Sequence, residues 1–148
     1  MISIDKILFA TDFSEASELA CKYAILQAKQ FNAKILVFHV INELEFPIHG
    51  IFPDHYVEDH KKEMAAAADR MMKEFCGRNC KDFETCQCKI EAGIPFKKIV
   101  EKAEAEDVSL IVIGTHGRTG AKHVVLGSTA EKIVRYASCP VMTVRSKQ

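Results

Sequence analysis

The chain has no excess of charge of either sign, with 20 Lys and Arg against 20 Asp and Glu and a sequence pI near 7.0. A general nucleic-acid binder usually shows a basic surplus, so that class is disfavoured, although a local anion site is not. No apolar run approaches membrane-spanning length. The first residues, Met-Ile-Ser-Ile-Asp-Lys, lack the basic stretch and apolar segment of a secretory signal. A cytoplasmic location is expected, where the six cysteines would be mostly reduced. Linkers, internal repeats and low-complexity segments are also missing. What is present, 148 residues with 48% hydrophobic and 27% charged content, describes one globular domain over 1–148.

Apolar runs alternate with helical patterns. Residues 4–10 read as a strand, and 34–40 as another, nearly all apolar. Such runs suit strands buried on both faces of a parallel sheet. Between them, Ala16, Leu19, Ala20, Tyr23 and Leu26 recur at spacings of three and four, which predicts a helix ending near Phe31 and Asn32. Residues 41–55 carry Pro47, Gly50 and Pro53, with Phe46, Ile48, Ile51 and Phe52 among them. They read as a long loop whose apolar residues fold back onto the domain. A second helix is predicted over 56–75, with Gly77 at its C-terminus. The alternating segment 85–91 reads as a half-exposed edge strand. Pro95 opens a third helix, residues 109–113 form a fourth strand, 129–137 a fourth helix and 141–145 a fifth strand. This βαβαβαβαβ order calls for an α/β domain with a five-stranded parallel, doubly wound, Rossmann-like sheet and helices on both faces.

Residues 114–129 follow the fourth strand and carry Gly114, Gly117 and Gly127-Ser128 before a helix. Strand, glycine-rich loop and helix N-terminus form the usual anion cradle of α/β proteins. The spacing is neither a Walker A loop nor the dinucleotide fingerprint. Each part also has a plain reading. Ser128 and Glu131 spell a capping box. Asp12, with Glu15 three residues on, would cap the first helix. Gly114 and Gly127 would supply backbone angles closed to other residues. His116 and His123 read as loop residues.

The pattern Gly114-x2-Gly117-x9-Gly127-Ser128 stands together with Leu110-Ile-Val-Ile, Ser-Thr-Ala-Glu-Lys-Ile, Ala10-Thr-Asp-Phe-Ser14, Phe38-His-Val40 and the closing Cys-Pro-Val-Met-Thr-Val-Arg. Over the whole chain this resembles the ATP-binding branch of the universal stress protein family. The resemblance implies strand order 3-2-1-4-5, which sets Thr11 and Asp12 beside Gly114 and Gly117 where the order reverses. It implies an adenine edge read by the main chain of Val40 and a ribose held by Asp12 and Gly114. Phosphates would be held by Gly117, Gly127, Ser128 and Thr129, with Ala10, Thr11, His116 and Arg118 completing the nucleotide site. It further implies ATP with Mg, a homodimer and a regulatory or protective role in stress. The fifth strand, 141–145, closes the sheet and is apolar enough to need covering, so it is the expected dimer edge. The neutral charge and short apolar runs give no expectation of nucleic-acid or membrane partners. A slow ATPase or nucleotide-transferring enzyme and a non-nucleotide interaction module are the alternatives. No carboxylate is obviously placed as a general base beside the phosphates.

Four cysteines cluster as Cys76-x3-Cys80-x5-Cys86-x-Cys88. Cys76 and Cys80 would share a helix face and Cys86 and Cys88 one side of a strand. Three readings stand: a four-thiolate zinc site, a redox-sensitive pair, or inert thiols. Cys21 and Cys139 read as isolated core residues.

Overall fold

The structure, a computed structural model, describes residues 1–116 and 126–146. Five parallel strands form one sheet in the order β3-β2-β1-β4-β5. They are β1 (Lys6–Ala10), β2 (Lys34–Asn42), β3 (Cys86–Gly93), β4 (Leu110–Gly114) and β5 (Val141–Val144). The helices are α1 (Glu15–Phe31), α2 (Asp54–Asn79), α3 (Pro95–Ala105) and α4 (Ser128–Tyr136).

The apolar runs of β1, β2 and β4 are buried because both faces of the sheet are covered. Successive side chains alternate between faces. Ile7, Phe9, Ile35, Val37 and Val112 pack with Ala20, Ala24 and Ala28 of α1 and Met72 and Phe75 of α2. Leu8, Leu36, Phe38, Ile111 and Ile113 pack with Ile99 and Ala103 of α3 and Ala130 and Ile133 of α4. The alanine stripe of α1 lets the helix lie close to the sheet. Asn32, left-handed at φ 53°, ends α1 and donates its N–H to Ala28 O.

Three local expectations are corrected. The loop after β2 starts with a 3-10 turn, Glu43–Glu45, capped by Asn42, and folds back only in part. Phe52 stacks on Tyr56 at 5.4 Å and Lys61 Nζ lies 5.7 Å from the Phe46 ring centroid, while Leu44, Ile48 and Ile51 face solvent. The helix α2 runs through Gly77 to Asn79: Gly77 does not take the left-handed angle of a helix-ending glycine, and the last turn is closed by the N–H of buried Cys80 donating to Cys76 O at 2.9 Å. The edge strand β3 extends to Gly93, since its last two residues continue the ladder with Ile41 and Asn42 of β2.

Candidate functional site

Strand order reverses between β1 and β4, which pair directly, and the ends of β1, β2 and β4 open there into a cleft. Its volume is about 410 Å³. Ala10 at the end of β1 and Thr11 and Asp12 just after it line the cleft, with Val40 from β2, Gly114 at the end of β4 and His116 just after it, and Gly127, Ser128 and Thr129 from the start of α4. The structure thus brings together nine of the residues singled out from sequence. Gly117 and Arg118, like His123, lie outside the described residues.

The β1 end is held by a chain of hydrogen bonds. Thr11 N–H donates to Phe38 O at 2.9 Å. Thr11 Oγ1 accepts from Phe13 N–H at 3.0 Å and from Ser17 Oγ at 2.6 Å. Asp12 Oδ1 accepts from Ser14 N–H at 3.0 Å and from Ser14 Oγ at 2.6 Å. Ser14 Oγ in turn accepts from Ser17 N–H at 3.2 Å and is the cap of α1. Asp12 therefore does not cap the helix itself; it orients the residue that does. The reason is the left-handed turn at Phe13, φ 65°, which carries the chain from strand to helix so that the cap falls on Ser14, two residues later than the Asp12–Glu15 spacing suggests. Its ring rests on His39 at 4.3 Å between centroids. His39, buried in β2, has Nδ1 2.7 Å from Thr11 O, so the ring bridges the ends of two strands.

At the other wall, Gly127 is the N-cap of α4 and Ser128 the first helical residue. The expected capping box is not formed: Glu131 pairs with Arg135 at 2.8 Å instead, and its N–H goes to Gly127 O. Nor does Gly127 or Gly114 adopt a left-handed angle; Gly127 sits at φ −66°. At Gly127, close approach is what disfavours a side chain. Gly127 N–H donates to Thr115 O at 2.6 Å, and a Cβ at Gly127 would lie 3.0 Å from that oxygen. Gly114 is not crowded in this way: a Cβ there would lie 3.4 Å from Ala16 O, an ordinary contact. The Gly127–Thr115 clamp sets the first turn of α4 against the cleft. N–H groups in a helix's first turn have no acceptor within the helix, and they sit at the positive end of its dipole.

Sequence reasoning missed the remaining wall. Met64, Ala67, Ala68 and Met71 of α2, with Ile113 and Ile99, give the cleft an apolar side, and Asn42 and Glu45 lie at its rim. The four-residue spacing of Met64, Ala68 and the adjacent Ala67 and Met71 placed them on one helix face. Nothing in the sequence said that this face meets the end of β1.

The cysteines are arranged differently from the zinc expectation. Cys76 and Cys88 are joined in a disulfide, while Cys21, Cys80, Cys86 and Cys139 are thiols. Two of the four sulfurs that would ligate zinc are committed to each other, and no group of three metal-ligating side chains is assembled among the described residues. Cys21 is not isolated: the Cys21 and Cys86 thiols both donate toward the Cys80 sulfur, which favours the thiolate there and raises the other two. Cys139 is half-buried, and desolvation raises its thiol.

A doubly wound α/β protein with a mixed polar and apolar cleft at its topological switch point is thereby defined. No helix of the described residues is long and apolar enough to cross a membrane. The family model of the universal stress proteins matches residues 3–145, and the chain belongs to that family. It is 31% identical to Universal stress protein MJ0577 of Methanocaldococcus jannaschii, over 96% of this chain and 95% of that protein. The solved structure of MJ0577 superposes with a TM-score of 0.85 and covers 99% of each chain. A putative universal stress protein of Staphylococcus aureus is 30% identical over 100% of this chain and 88% of its own length. A universal stress protein from Archaeoglobus fulgidus, solved in complex with dAMP, shares the fold at 20% identity, with a TM-score of 0.65 over 97% and 99% of the two chains.

Proposed function

We propose that the cleft binds an adenine nucleotide, ATP with Mg, and that nucleotide occupancy makes this protein a regulatory or protective component of a stress response. One juxtaposition carries the reading: the first turn of α4, Ser128 and Thr129, faces the same cleft as the Asp12 carboxylate and the end of β2 at Val40. In this reading the α4 turn takes the phosphates, Asp12 accepts from a ribose hydroxyl, and the main chain at Val40 reads the adenine edge. Met64, Met71 and Ile113 cover the ring. The A. fulgidus relative holds an adenine nucleotide on the same fold. A helix terminus supplies at most about 2 kcal/mol to an anion, whereas micromolar binding needs about 8 kcal/mol. The apolar wall from α2 is therefore as necessary to the reading as the polar one. Mg would come with the phosphates, since it is commonly held by few protein carboxylates and several waters.

The proposal includes a cytoplasmic homodimer through β5, an edge strand that leaves Val141 and Met142 half-covered. Calorimetric titration of ATP into the wild type and Gly127→Val tests the site. Binding by the wild type that is lost in the variant is expected; equal binding by both, or by neither, refutes it.

A further inference from the structure

The disulfide and the three thiols beside it lie away from the nucleotide chemistry, on the edge of the sheet. Cys76 sits in the last turns of α2 and Cys88 on β3, the outermost strand. Cys88 is exposed and Cys76 half-buried, and the pair lines an open surface depression with Met72 and Ile90. An exposed disulfide sulfur is open to attack by a thiolate from solution, and exposed disulfides are the labile ones. The neighbouring Cys80 is buried, so an incoming thiol meets the disulfide first.

What the disulfide joins gives it a consequence. Of the 26 residues of α2, four are buried: Val57, Ala68, Met72 and Phe75. That is a thin apolar anchor for a long helix. Met71, five residues before Cys76, is already in the cleft wall, about 7.5 Å along the helix axis. On the other side, β3 is hydrogen-bonded along β2 up to Asn42, and the end of β2 is the opposite wall of the same cleft. The covalent bond therefore ties α2, which supplies much of the apolar side of the cleft, to β3, the strand paired with the β2 whose end lines the opposite wall.

We propose that Cys76–Cys88 is a reversible thiol-exchange site for dithiol reductants, and that opening it loosens α2 and weakens ligand binding in the cleft. The step balances as a two-electron exchange. A reductant thiolate attacks Cys88 Sγ, forms a mixed disulfide and expels Cys76 as thiolate. The second reductant thiol then attacks the reductant sulfur and releases Cys88. The reductant leaves as its own disulfide, and both cysteines take protons. The reverse exchange with an oxidised dithiol closes the bond. The part concerning the cleft rests on the nucleotide reading above.

The test uses the whole chain, oxidised and after reduction with dithiothreitol, with hydrogen exchange of the α2 peptide over residues 64–72 and ATP calorimetry on each. Oxidised protein should show four thiols when denatured and six after reduction. Reduction should speed exchange in the α2 peptide by about fivefold and raise the ATP Kd by about threefold or more, as a loss of the docked population does. Cys88→Ser, and reduced wild type blocked with iodoacetamide, should both behave as reduced protein whatever the buffer. Six thiols before reduction, or α2 exchange that does not change on reduction, overturns the proposal. Changed α2 exchange with an unchanged ATP Kd overturns its coupling to the cleft. Changed α2 exchange with no ATP binding by either form supports the thiol site and refutes the nucleotide reading instead.

Discussion

Removing the Asp12 carboxylate separates two roles that the structure assigns to the same side chain. Asp12 Oδ1 holds both N–H and Oγ of Ser14, and Ser14 caps α1. Ser14→Ala removes the cap and should cost about 1 kcal/mol, within the usual 0.5–2. Asp12→Ala leaves the cap in place but unsupported, and a hydrogen bond to a charged group contributes about 1.5–3 kcal/mol net; a loss at or below the low end, about 1 kcal/mol, is expected at this partly exposed site. Asp12→Asn keeps an acceptor at Oδ1 and should change stability by less than about 0.5 kcal/mol. Binding should follow another order. A ribose hydroxyl bonded to a carboxylate is worth about 1 kcal/mol more than one bonded to a neutral acceptor, so Asp12→Asn should weaken ATP about five- to tenfold, Asp12→Ala further, and Ser14→Ala little. Urea denaturation and calorimetry on the three variants read both scales. If Asp12→Asn binds like wild type while Ser14→Ala binds as poorly as Asp12→Ala, Asp12 acts only through the helix cap and the ribose assignment fails.

Gly127→Ala places a Cβ at 3.0 Å from Thr115 O and should cost about 1–3 kcal/mol in urea denaturation, as overpacking does, while Gly77→Ala, whose Cβ meets nothing, should stabilise α2 by up to about 1 kcal/mol. Glu106 is held between Lys6 and Lys89, the latter at 2.7 Å, and the hydrogen bonds from both pull its carboxyl from 4.5 down to about 2. Because the folded value is the lower one, this stabilisation is full above the unfolded value and fades as pH falls from about 5 to 2. Glu106→Gln should therefore cost about 1–2 kcal/mol at pH 7, allowing for the exposed Lys89, with a thermal-melting difference that closes towards pH 2; a constant gap across that range refutes the ion-pair origin. Thr143→Lys, on the exposed side of β5, should convert a β5-mediated dimer to monomer in analytical ultracentrifugation, and an unchanged mass excludes that edge.

The layered fold was legible because the physics that buries β1, β2 and β4 writes continuous apolar runs such as Ile35-Leu-Val-Phe, and a parallel sheet with two covered faces accepts little else. The strand order came from the resemblance, since apolar runs alone do not say which strands are neighbours. The polar half of the cleft was legible through that order: Asp12, Gly114 and Ser128 stand at strand and helix ends, which the 3-2-1-4-5 topology gathers at one edge. Capping was misread because spacing does not reveal a left-handed residue such as Phe13, which shifts the helix start. At Gly127 the constraint is close approach to Thr115 rather than a backbone angle closed to other residues, and that is a tertiary fact. The cysteines were the least legible. Cys21 lies 55 positions before Cys76 in the chain, and which sulfur meets which is set by how α1, α2 and β3 converge.

Occupancy of the cleft at the β1–β4 reversal by an adenine nucleotide can be read residue by residue from amide chemical-shift mapping of ATP on the isotope-labelled protein. The predicted result is saturable shifts concentrated at Asp12, Val40, Gly114, Ser128 and Thr129, with the β3 edge near Cys88 unaffected. Absence of shifts at millimolar ATP, or shifts concentrated at the β3 edge instead, would contradict it.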